Sequence, residues 1–182
     1  NKNHKIIKPC GNKEFILHIP ENYLSPSTCV VFTAAMLPIW YNAAKSVKRE
    51  LPKEKIAMIG VGAAFSFIGM MFNVPLPGGT TGHAVGATLI ATLLGPEAAC
   101  LAVSVALLLQ ALLFGDGGIM SFGANCFNMA FAAPFTGYFI YRLMLKALSK
   151  GGDVKVQHRL LSAALSSYVG INVAALLAAI EF

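Results

Sequence analysis

Six apolar segments that hold almost no charge, joined by short connections that hold most of it, restrict this chain more than any other feature. They run over about 27–44, 56–73, 83–94, 97–114, 124–147 and 160–180. A helix rises about 1.5 Å per residue, so about 20 apolar residues cross the hydrocarbon core of a bilayer. The segments therefore predict an all-α, polytopic membrane protein with about six transmembrane helices. The balance of residues agrees: 56% are hydrophobic and 12% charged, against roughly 25% charged in soluble domains. The net charge of +6 does not indicate a nucleic-acid partner. The basic residues lie between apolar segments, with no soluble fold left to gather them into one patch. The lipid bilayer is the partner they suit.

Residues 1–16 are polar and lysine-rich, with no apolar core long enough for a signal peptide. They form an extension to a transmembrane domain over 17–182. Ser25, Ser27 and Thr28 can cap the first helix, and Pro26 suits a first turn. Pro38 falls inside that helix and should kink it. Residues 73–82, NVPLPGGTTG, contain too many prolines and glycines for continuous helix. The segment from His83 to Leu94 is too short to span. Its helix should start below the membrane surface, with the Gly/Pro-rich loop re-entrant. Irregular backbone at that depth persists only when buried in protein or lining a cavity. Gly95-Pro96 breaks the chain, and GDGGIMSFG over 115–123 is a second glycine-rich turn.

Cytoplasmic loops of membrane proteins carry excess Lys and Arg. Lys45, Lys48, Arg49, Lys53 and Lys55 follow the first span, and Arg142, Lys146, Lys150, Lys155 and Arg159 surround the loop before the last. The connections 17–26, 73–82 and 115–123 have none. With the basic loops inside, residue 17, His18 and His83 fall on the outer side of the membrane. His83 opens a helix at the inner end of a Gly-rich loop, and ionisable residues at membrane depth are rare and usually functional. His4 and His158 carry less weight, one in the extension and one in a basic loop. No HExxH, GxSxG or phosphate-binding loop occurs. Carboxylates near the spans are few, so nitrogen donors favour Ni, Cu, Co or Zn over Mg or Ca. Cys10, Cys29, Cys100 and Cys126 are far apart and read as packed thiols.

LHIPENYLSPSTC, GGTTGHAVGATL and FGDGGIMSFGANCFNMA together resemble the NikM/CbiM family, the substrate-binding components of energy-coupling-factor (ECF) nickel and cobalt transporters. The match runs from about residue 17 to the end. The resemblance implies capture of Ni²⁺ or Co²⁺ outside the cell membrane, with no enzymatic activity and no organic cofactor in this chain. It implies as partners a transmembrane coupling component, cytoplasmic ATPase subunits and a small accessory membrane protein. It also implies a seventh helix beyond position 182. Family members hold metal through a terminal amine, the next backbone nitrogen, the imidazole of that second residue and a histidine in a TGH motif. The matching positions are Leu17, His18 and His83. Amine, amide nitrogen and imidazole close adjacent chelate rings, and four nitrogens in a plane favour Ni²⁺ or Cu²⁺. Every donor must lack a proton, so affinity should fall on acidification. Thr80, Gln110, Asn125 and Asn128 are candidates to orient the His83 ring from the outer shell.

The chain departs from the family in two places. Asn22 replaces a glycine, a local change. Leu17 stands where the family has its initiating methionine, which implies a natural start at 17. Residues 1–16 would then be a mis-assigned upstream stretch, a cleaved extension or a deliberate addition. While they remain attached, the nitrogen of Leu17 is an amide and the site lacks one donor. Two rival functions have distinct requirements. A vitamin-binding ECF subunit needs an aromatic-lined pocket, and the outer loops offer Tyr23, Phe72 and Phe122. A zinc-dependent membrane enzyme needs a general base beside the metal, and no carboxylate adjoins either histidine in sequence.

Overall fold

A computed structural model describes residues 19, 24–72, 74–76, 80–149 and 153–181, with the side chains of 54, 75, 76, 80 and 81 outside the description. Helix α1 spans Pro26–Glu50 and α2 Lys53–Met71. Two short strands follow, β1 at Val74–Leu76 and β2 at Thr80–Gly82. Then come α3 at Ala87–Leu94 and α4 at Pro96–Leu113. A further helical run begins as α5 at Phe122–Asn125, widens into π-helix over Cys126–Ala132 and continues as α6 at Ala133–Ser149. Helix α7 spans Val156–Glu181.

The local chemistry explains several boundaries. Ser25 caps α1, its Oγ accepting the Thr28 N–H at 3.2 Å, and Pro26 occupies the first turn, where its missing N–H costs nothing. The helix continues through Pro38. Gly95 separates α3 from α4, and Pro96 opens α4. Between α2 and α3 the strands pair antiparallel, Val74 opposite Gly82 and Leu76 opposite Thr80. The proline and glycine content excludes helix there but does not foretell a hairpin.

Helix α4 is the centre of the bundle. Ala98, Ala99, Cys100, Ala102, Val103, Ser104, Ala106, Leu107, Gln110 and Ala111 are all buried, against α1, α2, α3, α6 and the π segment. Trp40 of α1 donates its indole N–H to Ser104 Oγ at 2.9 Å and stacks on Phe122 at 5.7 Å between centroids. Helix α7 packs mainly on α6. Its buried residues, Ser162, Ser166, Gly170 and Ala174, recur every fourth position as one small-residue seam. Cys29, Cys100 and Cys126 are buried free thiols, while Cys10 lies outside the described residues.

Three helices, α1, α4 and α7, are long and apolar enough to cross a membrane, and α2 contributes a shorter apolar stretch over Lys55–Met71. The apolar surface points outward. Val30 and Leu37 on α1 and Tyr168 and Ile180 on α7 are all more exposed than buried. Water would oppose apolar surface on this scale, whereas lipid solvates it.

The two ends of the bundle differ in charge. The α1–α2 junction, the α3–α4 junction and Tyr138 line one cleft, which includes Lys55, Glu50 and Glu97. Glu97 with Arg142 and Lys146 of α6 lines another. At the opposite end, residues 80–86, 113–125 and 175–181 contain no Lys or Arg and only two carboxylates, Asp116 and Glu181.

Candidate metal centre

His83 does not open a helix as its sequence suggests: it sits between β2 and α3, four residues before Ala87, and is 5% exposed. The segment that carries it is held from α2. Ser66 Oγ donates to the Val85 carbonyl at 2.7 Å. Gly69 lies so close that a Cβ built there would stand 2.7 Å from the Ala84 carbonyl oxygen. Gly86 has φ of 70° and its face is covered by the Phe65 ring, 2.7 Å from where a Cβ would be. A side chain at 86 would be strained twice, by the left-handed backbone and by the ring. Three contacts from α2 thus fix the three residues after His83 and, through them, the point where its side chain leaves the backbone.

These contacts make a test. Gly60 lies on the same helix, and a methyl group added there would meet nothing within 4 Å. Gly60→Ala should be neutral or stabilising, because alanine is the better helix former. Gly69→Ala should destabilise by about 1–3 kcal/mol, because a backbone carbonyl must move. Thermal unfolding of the two variants in detergent measures the contrast, and equal melting temperatures would show that the close approach does not hold the His83 segment.

The next feature lies at the end of the bundle free of Lys and Arg. The Ile19 N–H donates to Asn125 Oδ1 at 2.8 Å, and Asn125 Nδ2 donates to the carbonyls of Ile19 at 3.2 Å and Gly117 at 2.9 Å. Ser121 Oγ reaches the same Ile19 carbonyl at 2.8 Å and also bonds the Gly117 carbonyl. The Ile19 side chain is 1% exposed and clusters with Leu24, Cys29 and Ala124. Asn128, also buried, donates to Glu181 Oε2 at 2.9 Å.

The residues that the sequence singles out are placed as follows. His83 is buried, as a ligand or a core histidine must be. Leu17 and His18 lie outside the described residues, as does the Thr80 side chain, whose backbone belongs to β2. Gln110 is buried, and among the described residues neither its Oε1 nor its Nε2 has a hydrogen-bond partner. The hydrogen bonds described for Asn125 go to Ile19 and Gly117, and those for Asn128 to Glu181. Sequence reasoning misses Ser121 and places Ser66 only on a small-residue helix face, without its bond to Val85; a serine's reach to a carbonyl 102 positions away leaves no trace in local pattern. Among the described residues no three His, Cys, Asp or Glu side chains cluster as a metal site. A cavity of about 350 Å³ between α3, α7 and the π segment is lined by Ala84–Leu89, Met129, Ala133, Ser167, Tyr168, Ile171 and Ala174. It offers no nitrogen or carboxylate side chain to a cation.

Apolar helices packed around a buried histidine, at an end of the bundle free of basic residues, suit a membrane transport protein. Residues 18–182 match the family described as CbiM, cobalt uptake substrate-specific transmembrane region, and the chain belongs to that family of nickel and cobalt transport proteins. It is 54% identical over 167 residues to the probable fused nickel transport protein LarMN of Lactiplantibacillus plantarum, covering 91% of this chain and 48% of the relative. It is 50% identical to the fused nickel transport protein NikMN of Rhodobacter capsulatus, covering 91% and 47%. A putative metal transport protein of Methanocaldococcus jannaschii is 47% identical, with 91% and 71% covered. The chain thus spans about half the length of the two fused relatives. A crystal structure of a truncated transition metal transporter superposes with a TM-score of 0.80 at 57% identity, covering 90% of this chain and 73% of that one.

Proposed function

We propose that this chain captures Ni²⁺, or Co²⁺, on the outer side of the cell membrane and is the substrate-specific subunit of an ECF-type transporter. Uptake is driven by ATP hydrolysis in partner ATPases, through a transmembrane coupling component and with a small accessory membrane protein. The metal ligands are the amine and the adjoining amide nitrogen at Leu17 and His18, the His18 imidazole and His83. The observation that carries this reading is His83 itself: a buried histidine on a segment pinned by Ser66, Gly69 and Phe65, in a chain of the CbiM family. Nickel is preferred over cobalt because four nitrogen donors suit a planar ion, and the two fused relatives are named as nickel transport proteins.

Helix lengths support six spans and a re-entrant loop. Helix α4, with 18 residues, runs about 27 Å at 1.5 Å per residue. Helix α3, with eight residues and its Leu94 end at the cleft by the α1–α2 junction, reaches only about 12 Å. The short reach of α3 beside α4 supports a re-entrant chain before it.

Orientation is tested by labelling in intact cells. With the basic end inside, Met120→Cys, at a position 54% exposed, should react with an impermeant maleimide, and Glu50→Cys should react only after permeabilisation. The reverse pattern would put His83 on the wrong side for capture. The binding function is tested by nickel titration of purified protein whose residue 17 carries a free amine. Tight, saturable binding of one ion is expected, and protein that takes up neither nickel nor cobalt would overturn the reading.

A further inference from the structure

Asn125 is the last residue before the π-helical turns and is 3% exposed. Its amide uses both N–H groups and one acceptor position, and all three bonds go to backbone groups far away in sequence or in the glycine-rich turn. The arrangement also fixes the amide's orientation. Exchanging its oxygen and nitrogen would set a donor against the Ile19 N–H and an acceptor against two carbonyls. Both polar groups of residue 19 are thus read by one side chain, with Ser121 as a second donor to the same carbonyl. The Ile19 side chain is buried at the same time, so the residue is held in backbone and side chain together. Slipping the chain by one position would take the Ile19 N–H, carbonyl and side chain out of these contacts and leave only the bond to Gly117.

The helix that carries Asn125 also reaches the His83 segment. Met129, four residues on and so about one turn away, lines the cavity that Ala84, Val85 and Gly86 share. One stretch of helix therefore holds residue 19, which directly follows His18, and packs near the residues that directly follow His83. We infer that Asn125, assisted by Ser121, is a positioning residue for metal capture, a receptor for the Ile19 peptide group that sets the register in which His18 meets His83. This rests on the ligand reading proposed above. Asn125 itself touches no metal. Its role is to offset the entropy of ordering an entering strand of chain before the ion arrives, so that two of the donors are in place in advance.

The test has two parts. In the full 182-residue chain without metal, amide hydrogen exchange at Ile19 should be slow, and at least tenfold faster in Asn125→Ala, which removes the acceptor of that N–H; the isosteric Asn125→Asp keeps the acceptor, loses both N–H donors and should raise the rate by a smaller factor. Exchange within α4 should be unchanged in both variants, which separates loss of the clamp from loss of the fold. In protein with a free amine at residue 17, both variants should weaken nickel binding at least tenfold, and Ser121→Ala should do so by a smaller factor. His83→Ala is measured alongside. If His83→Ala loses nickel while the Asn125 variants keep wild-type affinity, the positioning role is overturned and the ligand reading stands. If Ile19 exchanges as fast in the wild type as in the variants, no clamp exists and the inference fails. If His83→Ala keeps nickel, the ligand reading falls and the inference with it.

Discussion

Protein whose residue 17 carries a free amine should hold about one nickel ion, and protein in which that nitrogen is an amide bearing residues 1–16 should hold none. The difference is chemical. An amine offers its lone pair directly, whereas an amide nitrogen must first lose its proton, as the one at His18 does once the neighbouring amine has anchored the ion. Attaching residues 1–16 removes one of four proposed donors and one chelate ring. It also adds chain next to Ile19, which is buried and whose N–H and carbonyl are both already bonded to Asn125. The side chain at 17 should matter little, because only its nitrogen is used, so Leu17→Met with a free amine should bind as well as leucine. Both forms are purified, loaded with nickel, desalted and analysed for metal per protein and for the visible spectrum of a low-spin planar ion. Equal nickel in both, with the extension shown intact by mass spectrometry, would remove the terminal amine from the ligand set.

In the free-amine form, His83→Ala should abolish tight nickel binding while leaving the helices folded. Losing an outer-shell partner of a metal ligand costs about 10–100-fold in affinity, and losing a ligand should exceed that. A histidine that served only packing would show the opposite balance, a lower melting temperature with affinity intact. Calorimetric titration and thermal unfolding of the same sample distinguish the two. Unchanged affinity in this variant would take His83 out of the site. Affinity in the wild type should also fall as pH is lowered, because each nitrogen donor must be unprotonated to bind.

Much of the helical layout was legible in sequence, and for local reasons. Ser25 and Pro26 start α1 where capping chemistry puts a start, and Gly95-Pro96 separates α3 from α4. The charged run after the first span sits at the α1–α2 junction. What stayed hidden depends on partners distant in the chain. The hairpin over Val74–Gly82 is a pairing of six residues in a tract whose prolines and glycines suggest only irregularity. The π turns of Cys126–Ala132 carry the same apolar periodicity as an α-helix to a reader of sequence. Asn125 could be picked out as a polar residue in an apolar span, but its bonds cross 106 positions to Ile19, and no local pattern encodes that. His83 could be singled out because burial of an ionisable group at depth is unusual; Gly60, Gly62, Ser66 and Gly69 of α2 read as a small-residue face open to close approach, but the sequence suggests another helix there, whereas at Gly69 the neighbour is the Ala84 carbonyl of the His83 segment.

The sheathing of α4 bears on how the protein is made. A membrane helix enters lipid before it finds its neighbours, so α4 must first be stable as a solitary span with Ser104 and Gln110 facing acyl chains. Its final surroundings are completed only by the π segment and α6, which are synthesised after it. Until they dock, the bundle has a polar gap along its middle helix, and quality-control proteases or chaperones of the membrane have that interval in which to recognise it. Substitutions at Ser104 or Gln110 would therefore act on the yield of inserted protein as much as on the finished molecule, and a more apolar α4 would leave less polar surface to recognise during that interval.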